Sequence, residues 1–428
     1  MLKVDLLANY ETLIVGLSGG LDSTVLLHLV ASTQVLHQKT RAIHVNHGLS
    51  PHAKTWQQHC EVLCQTLGIP LSTYCVEVNA VQNIEADARL KRYAVFKAQL
   101  STQSCLLLGH HEDDAAETLL LHLMRGTGLK GLAGMLEETA FSIGTLCRPL
   151  LQYSREEIKA YALTHQLDWV EDESNENQYF SRNYLRHMVF PLLQQRWPNV
   201  NKKIAECTSH LQEAQQNLYA LAEIDCPALR HASTTLPYQD LLHLSDARLI
   251  NILITWLHRL NIQVPNTATC RRMVHEVIYA AMDRSPVVAW GGQYSVKRYA
   301  GCLYMTSQEE KQETPQVWSN FPAPLALCMH EVLIARPATH GVYIPPGRLV
   351  EVRYRVGGET LRVHQCTHLL KKLFQAHCVA PWLRSHIPLI YVDNELVCAV
   401  DFLMRDPYDD ARAPYIYQIE RRHQDDIV

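Results

Sequence analysis

Apolar positions in the first 170 residues follow two alternating rhythms. Short, nearly continuous aliphatic runs at 13–17, 42–45, 72–78 and 105–108 have the pattern of strands buried on both faces. Between them, 24–37, 53–67 and 84–100 carry apolar side chains at helical spacing, and a further helix is predicted over 113–124. A strand is predicted over 141–147, and Ser154-Arg155-Glu156-Glu157 is a capping box that opens one more helix. This alternation predicts an α/β fold: a parallel, doubly wound sheet covered by helices, with right-handed crossovers. In such sheets ligands bind beyond the carboxyl ends of the strands.

Downstream the rhythm changes. Residues 201–282 are mostly helical in pattern, with repeated apolar faces. The runs 287–290 and 303–306 predict a hairpin across Gly291-Gly292, and 307–324 is polar and interrupted by proline. Near the end, 350–356 and 360–363 predict a hairpin across Gly357-Gly358, followed by a helix at 368–378 and strands at 389–391 and 396–400. The expected organisation is an α/β domain over 1–200, a mostly helical middle domain over 201–310, a linker over 311–345 and a small α+β domain over 346–428.

Composition narrows the class. The chain has 428 residues, enough for two to four domains, and 47% of them are hydrophobic, which excludes a disordered chain. No apolar run approaches the ~18–20 residues that cross a bilayer, so no membrane partner is expected. Asp5 and Glu11 interrupt the N-terminus where a secretory peptide would be apolar, so a cytoplasmic location is expected. Thirteen cysteines without a CxxC pair argue against a zinc ribbon or an iron–sulfur site. The net charge of −4 excludes coating of nucleic acid by bulk charge, but it conceals local opposites. Residues 168–176 carry −5 and 177–203 carry +5; 348–384 carry +5 and the tail from 393 carries −5.

Three polar clusters end three predicted strands. Ser18-Gly19-Gly20-Leu21-Asp22-Ser23 lies between a strand and a helix. Its glycines let backbone N–H groups and a helix N-terminus approach phosphate oxygens, while Ser18 and Ser23 add hydroxyl donors. Asp22 could orient a Mg²⁺ on those phosphates. No Walker lysine follows. His44-Val45-Asn46-His47-Gly48-Leu49 ends the second strand, and Gly109-His110-His111-Glu112-Asp113-Asp114-Ala115-Ala116-Glu117 ends the fourth. Asp114 and Glu117 share one helical face, a pair able to coordinate metal, hold an amine or transfer a proton.

SGGLDS resembles the PP-loop of N-type ATP pyrophosphatases, which cleave ATP between the α- and β-phosphates to adenylate a substrate. HVNHGLS, EADARLKRY, GHHEDDAAETLLLHLMRGTGLKGLAGM, RPLL, EDESNENQYFSRNYLR and the C-terminal YRVGGETLRV, LLKKLF and PLIYVDNELVCAV are similar, in order, to the tRNA(Ile)-lysidine synthetases of that superfamily. The resemblance implies a ligase that uses ATP and Mg²⁺ to join L-lysine to C2 of the wobble cytidine in the CAU-anticodon isoleucine tRNA. The route is through an adenylated cytidine, and AMP and pyrophosphate are released. It makes 1–200 the catalytic domain and the two later domains tRNA-binding. It assigns Ser18, Gly19, Gly20, Leu21, Asp22 and Ser23 to ATP, with Asp22 also on the metal, and Asp22, His110, Asp114, Glu117 and Arg182 to catalysis. Arg89, Asp114 and Glu117 are implied substrate contacts, and Arg182, Arg186, Arg355, Lys371 and Lys372 are implied tRNA contacts. A homodimer is compatible with it. A tRNA thiolase of the same superfamily is the alternative, disfavoured by the missing CxxC.

Overall fold

The computed structural model describes residues 1–48, 50–77, 84–171, 173, 179–281, 284–307, 314–328, 331–363, 366–404 and 415–423. The chain forms two compact units, Met1–Ala220 and Leu221–Val428.

The first unit is the α/β domain that the apolar rhythm predicts. Its sheet contains β1 (Thr12–Gly16), β2 (Thr40–Asn46), β3 (Leu71–Cys75), β4 (Ser104–Leu107), β5 (Glu138–Phe141) and β6 (Gly144–Cys147), in the order β3-β2-β1-β4-β6-β5. All pairs are parallel except β5–β6 at the edge. The single strand expected over 141–147 is therefore two strands, turned back at Ser142, whose φ of 56° reverses the chain. The helix expected over 24–37 breaks into Leu21–Ala31 and Gln34–His37, because Thr33 is extended between them. The helices Ala53–Leu67, Ile84–Ala98 and Glu112–Met124 lie where the periodicity places them. Residue 78 of the expected third strand and Leu49 of the second motif lie outside the described residues.

Alternation along the strands divides the core into two layers. Leu13 and Val15 pack with Val25 and Leu26 of Leu21–Ala31 and Ile158 of Arg155–Thr164; Ile14, Ile43 and Leu106 face Phe96 on the other side. These side chains are fully buried, and each aliphatic residue so placed contributes about 1.5–3 kcal/mol. The capping box on Arg155–Thr164 is formed: Glu157 N–H donates to Ser154 Oγ (3.2 Å) and Ser154 N–H to Glu157 Oε2 (2.8 Å).

The second unit departs further from expectation. Val287–Trp290 turns at Gly291-Gly292, as predicted, but pairs with Tyr294–Tyr299, and Cys302–Ser307 then pairs with that strand's other edge. The expected hairpin of 350–356 with 360–363 does not form. Val350–Arg353 pairs with Leu389–Val392, whereas Thr360–Val363 pairs with Cys366–Leu369. The reason is local: Glu359 Oε1 accepts the N–H groups of Val356 and Gly357, folding the glycine loop on itself. The stretch expected as a linker, 311–345, is not one. It contains Gln316–Val317, Leu325–Cys328 and the long strand Glu331–Tyr343, which pairs with Ile416–His423 and buries Leu333 and Val342 beside Trp318. The helix Leu370–Ala376 and the pair Leu389–Val392 with Glu395–Ala399 match the C-terminal expectation.

Candidate active site

The carboxyl end of β1 runs into residues 17–20 and then into the helix Leu21–Ala31. Gly19 has φ +86°, and a side chain there would also meet Cys60 Sγ and Val170 Cγ2 at 3.1 Å. The loop is preformed by its own hydroxyls. Ser18 Oγ and Ser23 Oγ are 3.0 Å apart, Gly20 N–H donates to Ser18 Oγ (3.3 Å), and Ser23 Oγ donates to Gly20 O (3.1 Å). Val170 N–H donates to Gly19 O at 3.0 Å and anchors the loop from outside. Leu21 is buried and anchors the first helical turn, leaving Asp22 beside the site.

Gly109, at the end of β4, presses against this turn. A Cβ there would lie 2.9 Å from the Asp22 carbonyl atoms, so only glycine lets the third motif lie beside the first. The two motifs and the end of β2 converge on one cavity of about 530 Å³. Ser18, Gly20 and Asp22 line one part, His44 and His47 another, and His110 and Asp114 a third. His44 is buried with Nδ1 2.9 Å from Leu17 O, so it braces the loop. Burial lowers the His47 imidazole, and His47 Nδ1 is a buried atom without a hydrogen-bond partner among the described residues.

His111 begins the helix Glu112–Met124, with its N–H donating to Asp114 Oδ2 (3.1 Å). Its buried ring lies among three carboxylates: Asp113 at 3.4 Å, Asp114 at 3.6 Å and Asp22 at 3.7 Å. Burial alone would lower this imidazole, but the surrounding carboxylates raise it above its ordinary value. His110 is the opposite case. Burial lowers it to about 3, helped by the nearby Arg148, Arg182 and Arg89 guanidiniums and against the pull of Asp114, so it is neutral. Burial raises the Asp22 carboxyl, and Asp114 adds to this against the opposing His111; Asp22 Oδ1 is buried and without a partner.

Asp114 and Glu117 lie side by side, as their spacing predicts, but they are already engaged. Arg182 donates from Nε to Glu117 Oε2 and from Nη2 to Asp114 Oδ1, both at 2.6 Å. Arg186 donates from Nε to Glu117 Oε1 (2.7 Å) and from Nη2 to Glu117 Oε2 (3.1 Å). Both arginines come from one helical run, Ser181–Tyr184, Leu185–Val189 and Phe190–Arg196, whose i,i+4 spacing aims them at the same pair of acids. Burial pushes Asp114 up, but His111 and Arg182 outweigh it and hold the carboxyl below its usual value. A second, polar cavity of about 850 Å³ lies on the far side of these residues and includes Glu117, Arg155, Glu157, Arg186 and Lys202.

A family model described as the PP-loop domain matches residues 3–193, one described as the TilS substrate binding domain matches 236–304, and one described as the TilS substrate C-terminal domain matches 350–415. A tRNA(Ile)-lysidine synthase from Legionella pneumophila (strain Lens) is 43% identical over 402 residues, covering 94% of this chain and 93% of its own. The chain belongs to the tRNA(Ile)-lysidine synthase family. A member from Coxiella burnetii (strain RSA 493 / Nine Mile phase I) is 36% identical over 412 residues, covering 94% of this chain and 91% of its own. Among solved structures, the U34-tRNA thiolase NcsA from Methanococcus maripaludis aligns with TM-score 0.41 and 20% identity over 50% of this chain and 76% of its own. A likeness that slight carries no argument.

For a chain of the lysidine synthase family, several basic residues have uses other than those the sequence suggests. Arg186, expected on tRNA, is bound to Glu117. Arg89 is exposed, stacks on Tyr93 at 4.8 Å and does not line the cavity beside the glycine loop; Arg92, one turn on, does. Arg355 lies 3.5 Å from Glu359 in the folded glycine loop. Arg298 is buried and donates to the carbonyls of Ile278, Ala280 and Ala281. Arg272 pairs with Glu276. Lys371 and Lys372 are exposed on their helix. In the sequence, His111 and Asp113 stand out only as part of a polar string. The signal for them was the run of acids around two histidines, which at a helix N-terminus must turn inward as well as outward. Among the described residues no helix is long and apolar enough to cross a membrane.

Proposed function

We propose that this chain ligates L-lysine to C2 of the wobble cytidine in a CAU-anticodon isoleucine tRNA, activating that carbon with ATP and releasing AMP and pyrophosphate. The observation that carries the reading is the meeting of a preformed phosphate loop and Asp114 at one cavity, with Glu117 joined to Asp114 through Arg182. Family membership supports ATP as the activating substrate and the isoleucine tRNA as the acceptor.

The loop's backbone N–H groups and the helix N-terminus at Leu21 fit the triphosphate. Asp22 is the residue that would hold Mg²⁺, and its buried, unpartnered Oδ1 fits that role. The cation would supply charge neutralisation on the phosphate oxygens. His110, neutral and facing the cavity, offers a hydrogen bond to the reacting nucleotide without adding positive charge. The C2 oxygen of cytidine attacks the α-phosphorus and pyrophosphate leaves; the ε-amine of lysine then attacks C2 and AMP departs.

The amine half of the reaction needs a proton acceptor, because lysine with a pKa near 10.4 arrives as an ammonium. Asp114 and Glu117 suit that task. Two guanidiniums already neutralise them, so an incoming ammonium must displace at least one. An anionic substrate that draws Arg182 away does two things at once. It vacates the site, and it removes a positive neighbour that holds the Asp114 carboxyl low, making it a better base. Developing charge on the adenylate is a suitable destination for that guanidinium.

The test is incorporation of radiolabelled lysine into the CAU-anticodon transcript with stoichiometric AMP and pyrophosphate. ATP consumption that never labels the RNA sinks the proposal. Lys371, Lys372 and the C-terminal basic segment are proposed tRNA contacts, and a homodimer is a proposal for sedimentation to check.

A further inference from the structure

Arg148 follows β6 at the carboxyl end of the sheet, next to the strand that delivers His110. It is 9% exposed. Of its five N–H donors, one bonds Leu136 O at 2.6 Å, and its buried Nε has no partner among the described residues. Among the described residues no carboxylate lies within ion-pair distance of Arg148 or of Arg89. A buried cation without a counter-charge carries a desolvation cost of several kcal/mol, and proteins seldom keep one without a use. Burial accordingly pushes the Arg148 guanidinium down from its ordinary value, with Arg89 adding to this and Tyr93 opposing it. Arg89 lies over that same Tyr93 and donates to its hydroxyl at 3.1 Å. Arg89 and Tyr93 are thus one stacked pair, and the charges of both Arg148 and Arg89 bear on the buried His110 and lower its imidazole.

We propose that Arg148 and Arg89 form an anion site that holds a phosphodiester of the RNA strand flanking the reacting cytidine. The inference rests on the RNA-modifying reading above. Three kinds of anion enter that reaction: the nucleotide phosphates, the carboxylate of the amino acid and the RNA backbone. Neither arginine lines the nucleotide-side cavity, which has its own phosphate loop. Neither lines the polar cavity beside Glu117 and Arg186, the side from which an amine would reach the acids. Arg89 is exposed, so the site opens outward next to His110, where a strand delivering one base into the cavity would leave its backbone. Arg148 is then a binding residue that the motifs did not single out. Its burial keeps the guanidinium poorly hydrated until a phosphate replaces the missing counter-charge.

The experiment measures binding of the full chain to the CAU-anticodon tRNA across a salt series, with Arg148→Gln, Arg148→Lys and Arg89→Gln variants, alongside KM for ATP and for lysine. Arg148→Gln should weaken tRNA binding about 10-fold and flatten the slope of log K against log salt by about 0.7–0.9, the loss of one phosphate contact. Arg89→Gln should flatten it similarly, and Arg148→Lys should keep the slope. Both KM values should stay within about twofold. An unchanged slope, even with weaker binding, overturns the proposal and leaves Arg148 a structural residue. A rise in KM for ATP or lysine with tRNA binding intact overturns it in favour of another anion. If Arg148→Gln does not fold, the exposed Arg89 variant decides by its slope. Wild-type chain that binds the tRNA but adds no lysine would break the functional reading while leaving the salt test interpretable.

Discussion

The two ends of the Asp22–Glu117 cluster are built from the same residue types and are in opposite states. At the proposed phosphate end, Asp22 has a buried oxygen without a partner among the described residues, and the loop's serines bond to one another and to the loop backbone. At the proposed amine end, four carboxylate oxygens of Asp114 and Glu117 meet two guanidiniums and the His111 N–H. Unsatisfied buried groups are costly, so the first end is arranged to receive a ligand. A saturated ion-pair cluster has no such deficit, and a cation enters it only by exchange. The contrast suggests an order: nucleotide first, RNA next, and the amine last, once charge at the adenylate competes for Arg182.

The contrast can be broken most severely at the phosphate end. Asp22→Ala should lower RNA-dependent pyrophosphate release by about 100- to 1,000-fold, with tRNA affinity unchanged. Retained adenylation would remove Asp22 from the account. Asp114→Asn should reduce kcat/KM for lysine about 100-fold while changing KM for ATP only a few-fold. Equal loss on both substrates would erase the distinction between the ends.

Arg186→Gln sharpens the comparison. It leaves the buried Glu117 with Arg182 alone, so urea denaturation should show a loss of about 2 kcal/mol. Equilibrium dialysis of lysine against the free enzyme should show affinity raised by roughly 5- to 10-fold, an effect of about 1–1.4 kcal/mol. Lower stability with unchanged lysine affinity would make the pair merely structural.

The smallest effect concerns protons. His110 is at about 3 in the folded chain, against about 6.5 unfolded. The unfolded chain therefore takes up the proton first, so His110's contribution to stability is full above 6.5 and is lost as pH falls toward 3. His111 has the opposite sign: its raised value adds stability below 6.5 that is lost as pH rises through the folded value. In NMR titration the His110 ring should stay flat between pH 5 and 8, while His111 titrates above its ordinary midpoint. A His110 midpoint near 6.5 would contradict the buried, neutral assignment.

Much of the first unit was legible because its information is local. Continuous apolar runs gave β1, β2 and β4, and the glycines of SGGLDS and GHHEDD marked the points where backbones approach. The helix Ala53–Leu67 matched its periodicity at both ends. What the sequence could not reveal was exchange between distant segments. Val350–Arg353 looks like half of a local hairpin, yet its partner is Leu389–Val392, nearly forty residues on. The stretch at 331–343 carries the apolar run Val332–Ala335 but then breaks at Pro337 and Gly341, and its pairing with Ile416–His423 is long-range. Charge misled for the same reason. Arg186 and Arg355 are basic residues in basic stretches, but the fold turns each toward a carboxylate of its own unit. The positive sums along the chain therefore overstate what is free to meet RNA, and Lys371 and Lys372 remain as exposed candidates.

One measurement addresses the central claim, that the amine site is closed by the chain's own guanidiniums until the other substrates are bound. Lysine affinity is measured by equilibrium dialysis for the enzyme alone, and again with the CAU-anticodon tRNA and a non-hydrolysable ATP analogue. The account predicts weak binding to the free enzyme and tightening of at least about 10-fold, or 1.4 kcal/mol, in the ternary state. Equal affinity in both states would contradict it.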